Sequence, residues 1–241
     1  INISIFMTPF KRELNSDILG AKNANGGFCY RCLKKGEIVI YRHHDFFKVF
    51  IHELIHNFGV DQYIFSFINS IPKKQQEYSI YKAFINNFNL SNDINNNLID
   101  IGFQECLVEF WAVFINTCIF SYNQNNLNFN KYLDVFHKFI DYEITHSFFQ
   151  TKKILLFNNL DYNLILNITK NKNNYLENTH IFSYYILKLF LLYDYKKFIN
   201  SDITVNNNMQ LYLTPTNKNI EKLFNYIISK SREVKINFNK F

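Results

Sequence analysis

Strand and turn signals are concentrated in the first 42 residues, and the pattern of apolar positions turns helical after Arg42. Ile3-Ser4-Ile5-Phe6-Met7 is short, apolar and β-prone, and it ends at Pro9. Gly20 to Gly27 reads as a loop rich in glycine and asparagine. Phe28-Cys29-Tyr30-Arg31-Cys32 and Glu37-Ile38-Val39-Ile40-Tyr41 flank Lys34-Lys35-Gly36, which predicts a hairpin. Asp45 is then placed to cap a helix on which Phe46, Phe47, Val49, Phe50, Leu54 and Phe58 cover much of the surface, with Gly59 as its stop. So many apolar positions predict a helix buried nearly all round. Further helices are expected over 73–89, 98–121, 129–149, 179–193 and 216–231, separated by Asn-rich loops, with Asn123 to Asn130 as the longest exposed connection. No repeat or domain boundary interrupts this order. The expectation is one α+β domain over residues 1–241, mainly β in 1–42 and mainly α in 43–241.

The helix after Arg42 contains His52-Glu53-Leu54-Ile55-His56, an H-E-x-x-H string. Residues four apart on a helix lie one above the other, so both imidazoles can face a single ion. Glu53 follows the first of them and projects beside the ion, where it can act as general base toward a metal-activated water. One zinc ion is the expected cofactor, held by His52, His56 and a third ligand. A metzincin would place a histidine six residues after His56, but Gln62 stands there, and Asp61, one residue out of phase, reads as a cap or terminator of the helix. The remaining source is a glutamate from a later helix. Gly102-Phe103-Gln104-Glu105-Cys106-Leu107-Val108-Glu109-Phe110-Trp111-Ala112 offers two carboxylates four apart among apolar residues. Buried acids of that kind need a cationic partner, and a metal with its histidines would answer both. Glu105 is favoured as the ligand and Glu109 as the acceptor of a ligand histidine's N–H, with the exchanged assignment open.

These segments resemble the gluzincin (thermolysin-like) arrangement, in which a helical glutamate ligates and the acid four residues later orients a histidine. Here Gln104 stands where that pattern has asparagine, and Glu109 where it has aspartate. Glu109-Phe110-Trp111-Ala112 is also similar to the Glu-x-x-Ala ligand pattern of other gluzincins. Thr8-Pro9-Phe10-Lys11, Leu19-Gly20 through Gly27-Phe28, Glu37 through Asp61, the Glu105–Ala112 helix and Ser183-Tyr184-Tyr185-Ile186-Leu187-Lys188 resemble zincin-like metallopeptidases of large DNA viruses. The resemblance implies a zincin-like fold, with a small sheet packed on the active helix and a mostly helical remainder, and hydrolysis of peptide bonds in a peptide or protein substrate. It implies an oxyanion donor from the C-terminal part, for which His180, Tyr184 and Tyr185 are the candidates, ahead of His137 and His146. It also implies that the strand Glu37–Tyr41 edges the cleft and pairs with an extended substrate. His43 and His44, just before the helix, are expected to be exposed.

Composition narrows the alternatives. Apolar residues make up 48% of the chain and glycine and proline number only 6 and 3, so there is material for a large core and none of the bias of a disordered chain. The net charge of +6 is spread over isolated pairs such as Lys34-Lys35 and Lys152-Lys153, which predicts a solvated surface and no nucleic-acid partner. No unbroken apolar run reaches the ~18 residues of a membrane span. No leader pattern is present, although a chain starting at Ile1 leaves room for a preceding segment. Four cysteines do not make a disulfide scaffold, so a reducing, intracellular setting is expected, in a host cell or virion if the source is viral. Cys29 and Cys32 form a C-x-x-C without the second pair that a zinc ribbon needs, so they read as ordinary hairpin cysteines. The competing functional class is a catalytically silent zincin-fold scaffold or virion protein that binds a protein partner.

Overall fold

Among the described residues three strands form one sheet: β1 (Asn2–Thr8), β2 (Gly27–Cys29) and β3 (Glu37–Arg42), in the order β1-β3-β2. The structure is a computed structural model that describes residues 1–13, 18–30, 36–70, 80–88, 90, 100–123, 128–166, 175–205 and 217–238. β2 and β3 pair antiparallel, with Phe28 opposite Val39, as the hairpin pattern predicts, although the turn itself lies outside the described residues. β1 pairs in parallel with the other side of β3, with Asn2 opposite Glu37 and Ile5 opposite Ile40. The expected cleft-edging role of Glu37–Tyr41 is thereby corrected. Both main-chain edges of β3 are taken, and among the described residues β1 and β2 are the outer strands of the sheet. The parallel β1–β3 contact joins segments some thirty residues apart, which a local apolar pattern does not encode.

Alternation along β3 buries Ile38, Ile40 and Arg42 on one face. Ile38 and Ile40 pack with Val49 of α2 (Phe46–Asn57), which seats that helix on the sheet. Gly59 at φ +68° turns the chain out of α2, and the amide of Val60 donates back to the carbonyl of Ile55. Two expectations for α2 fail. Asp45 holds the N-cap position in the left-handed region at φ +57° without a capping bond, its carboxylate instead meeting Arg12 at 3.3 Å. Phe46, Phe47 and Phe58 are exposed, at 37%, 38% and 67%, so α2 is buried along its length on the sheet and core sides and open at both ends.

The remainder is helical: α3 (Gln62–Ser70), α4 (Ile80–Asn87), α5 (Gln104–Asn123), α6 (Phe129–Phe157), α7 (Tyr162–Ile165), a π-helical segment (Phe182–Leu187) running into α8 (Lys188–Tyr193), α9 (Tyr195–Ile199) and α10 (Asn217–Phe238). A short helix, α1 (Ala21–Ala24), precedes β2 inside the predicted glycine-rich loop. α3 is not foreseen from the sequence, and α6 and α10 run past their expected ends at 149 and 231. Positions 73–79, 89, 98–99, 124–127 and 216 of the expected elements lie outside the described residues. α5 is the spine of the core, packed against α2, α6, the π-helical segment and α8. Around it Phe84, Phe103, Phe110, Trp111, Phe190 and Phe224 are fully enclosed, many ring to ring, as with Phe103 and Phe224 at 4.5 Å between centroids. Among the described helices, α5 alone is long and apolar enough to cross a bilayer, and 56% of its apolar window is buried inside the protein.

Candidate metal centre

Lys48, His52 and His56 recur every fourth residue and form one stripe along α2, while Glu105 and Glu109 form a matching stripe on α5. The two stripes meet with the helices running in opposite senses. Glu109 accepts from Lys48 Nζ at 3.1 and 3.3 Å, and Glu105 Oε2 lies 2.9 Å from His56 Nε2 and 3.4 Å from His52 Nε2. The two histidine Nε2 atoms are themselves 3.0 Å apart.

His52, His56 and Glu105 form a group that could hold a metal ion. Their separations of 2.9, 3.0 and 3.4 Å approach the ~3.3 Å expected between ligands of a tetrahedral ion with bonds of ~2.0–2.1 Å. All three residues are buried, at 7%, 4% and 3% exposure. Two buried imidazole nitrogens aimed at each other and at one carboxylate oxygen make a set of lone pairs with room for few protons, a fit for a cation. Glu109 does not join the set. It faces the other nitrogen of His52, with Oε1 3.7 Å from Nδ1, too long for a hydrogen bond, and that buried Nδ1 has no hydrogen-bond partner among the described residues.

The opposite side of His56 is anchored. Its Nδ1 donates to Asp61 Oδ2 at 2.9 Å, a buried contact made possible by the Gly59 reversal that folds residues 60–61 back over the last turn of α2. Asp61 therefore orients a histidine where the sequence suggests a terminator. Burial alone would lower the pKa of His56, but Glu105 and then Asp61 outweigh it and raise it to about 10, so the metal-free ring is an imidazolium. Glu105 is driven the other way: burial would raise it, and His56 and His52 hold it well below the usual carboxylate range. At the far end of the stripe burial again opposes ionisation, but Lys48 and His52 bring Glu109 down to about 2.

Comparison with protein-family models, curated proteins and solved structures gives no match. The chemistry of the centre rests on its own geometry.

Glu53 is buried on α2, and its charge bears on Tyr41 of β3 and on Tyr184 of the π-helical segment. Tyr184 stacks edge-on to His52 with centroids 5.9 Å apart. Burial, then Glu105, Glu109 and Glu53, raise its pKa well above the usual phenol range, so it stays protonated. His180 lies with Nδ1 3.9 Å from Glu105 Oε1, across a backbone that only glycine permits: Gly102 has φ +55°, and a Cβ there would sit 2.2 Å from the His180 ring. Tyr185 points away, into a cavity beside α6. His137 and His146 are engaged elsewhere, with Tyr195 and Gln150, and His43 and His44 are exposed. Cys29 lies in β2, while Cys32 is outside the described residues. Sequence reasoning missed Lys48 and Asp61. The first was readable as the residue four before His52, and the second only through the reversal at Gly59.

Proposed function

We propose that the chain is a zinc-dependent peptidase, with His52, His56 and Glu105 as the protein ligands. The observation that carries this reading is the convergence of the three buried ligand atoms beside Glu53. Zinc held there would supply Lewis acidity and would lower the pKa of a bound water to roughly 7. Glu53 takes the proton of the attacking water and returns it to the leaving amine. Tyr184, kept protonated, is the donor best placed to answer the negative charge that develops on the scissile carbonyl, with His180 on the flank of Glu105. Asp61 fixes the tautomer of His56, and Glu109, tied to Lys48, faces Nδ1 of His52 and sets the field there.

The test pairs metal content with cleavage of a broad peptide library. Glu53→Gln is expected to retain about one metal per chain and lose roughly 10²–10⁴-fold in rate. A Glu53→Gln protein of full activity would refute the mechanism.

The enclosure of all four residues favours a second reading, a silent zincin-like fold in which the ion only braces α2 against α5 and the surface binds a protein partner. Metal-loaded wild type that cleaves nothing in the library, yet unfolds when the metal is removed, would select it.

A further inference from the structure

A cavity of about 420 Å³ lies between the start of α2, the middle of α6 and the junction of the π-helical segment with α8, beside Arg12. It shares Lys48 with the metal centre, but His52, Glu53, His56 and Glu105 do not line it. Its volume falls in the range of roughly 300–1,000 Å³ found for small-molecule sites. Leu19, Phe46, Ile154 and Ile181 give it an apolar side.

Lys188 sets its polar character. The residue is 5% exposed, lines the cavity, and has no carboxylate at ion-pair distance among the described residues. Its ammonium stands 5.6 Å from the centroid of the Tyr185 ring. Of the other cations that line it, Lys48 is engaged by Glu109 and Arg12 by Asp45 and the carbonyl of Ala24, while Lys153 is exposed to solvent. Burial lowers the pKa of Lys188, only partly offset by Glu109 at longer range. An ammonium taken out of water costs several kcal/mol unless an acceptor or anion answers it. The cavity is the space from which such a group can come. Glu13 and Glu143 also line it, and they disfavour a multiply charged anion such as a phosphate ester.

We infer that this cavity is a binding site for an organic monocarboxylate with an apolar body, with Lys188 as its counter-charge. The site stands whether or not the metal centre turns over a substrate, and its test reads binding alone. The full chain is titrated by calorimetry with N-acetylphenylalanine and with its primary amide, which keeps the shape and lacks the charge. The acid is expected to saturate wild type at millimolar concentration or below, and the amide to bind at least about tenfold more weakly. Lys188→Met, which keeps the apolar stem, is expected to bring the acid down to the level of the amide and leave the amide unchanged. Equal binding of acid and amide by wild type, absence of saturable acid binding, or undiminished acid binding by Lys188→Met would each overturn the inference. Should Lys188→Met fail to fold, Lys188→Gln takes its place in the same acid–amide comparison, with undiminished acid binding again overturning the inference.

Discussion

Glu105 and Glu109 lie one turn apart on the same helix and both face α2, Glu105 buried and Glu109 half-buried, yet the two ends of this seam are completed differently. At the Glu109 end a lysine closes the pair, and carboxylate and ammonium neutralise one another within the protein. At the Glu105 end two histidines converge on one carboxylate, and the second histidine, His52, keeps a nitrogen without a hydrogen-bond partner among the described residues. The first end is complete as it stands. The second is held together in the metal-free chain by a proton on His56 that a divalent cation would displace. Helical spacing is the same at both ends and by itself does not separate a structural acid from a ligand. The identity of the residue opposite does.

The largest effect should come from removing the acid at the open end. Apparent binding energies of roughly 10–16 kcal/mol for zinc sites, divided among four ligands, give about 2.5–4 kcal/mol for each. Glu105→Ala should therefore weaken zinc binding by roughly 10²–10³-fold, while Glu109→Ala, which removes only the charge facing His52, should weaken it by no more than ~10-fold. Competition titration with a chelator of known affinity measures both. An inverted order would make Glu109 the ligand and dissolve the contrast.

The closed end should answer in stability instead. Glu109→Leu leaves the half-buried Lys48 opposite an apolar side chain, a change expected to cost about 3 kcal/mol by denaturant melting. Replacing both partners, Lys48→Met with Glu109→Leu, should recover most of that loss, because the orphaned charge is gone. No recovery in the double variant would show that the pair does more than neutralise itself.

Much of this seam was legible in the sequence, and the limits follow from particular residues. The four-residue spacings of His52 and His56 and of Glu105 and Glu109 fix which side chains share a helical face, because helix geometry is local. The α+β division and the β2–β3 hairpin follow from patterns a few residues long. The parallel seat of β1 beside β3 does not, and it turned an expected edge strand into a central one. Asp61 read as a terminator because its use depends on the path of the backbone after Gly59. Asp45 read as a cap, but its left-handed backbone directs the carboxylate to Arg12, a residue thirty-three positions away. Lys188 was visible only as one more cation in a helix, since its burial depends on the packing of α5, α6 and α10 against α8.

The smallest effect, and the finest test of the contrast, is the pH dependence of the metal-free protein. His56 is raised in the folded state to about 10 from an ordinary 6.5, so the stability it contributes is fully present below 6.5 and is lost as pH rises toward 10. Glu105 is depressed in the folded state, so its contribution is present above the ordinary carboxylate range and is lost as pH falls through it. The open end is thus strongest between about pH 5 and 6.5, and raising the pH to 9 should lower the unfolding free energy. At the closed end Glu109 titrates at about 2 and Lys48 is raised above its usual range, so that pair stays ionised throughout the window. His56→Gln should accordingly flatten the alkaline slope, whereas the Lys48→Met, Glu109→Leu double variant should keep it. A metal-free wild type whose denaturant midpoint is constant from pH 6 to 9 would show that the proton on His56 contributes nothing to holding the open end together.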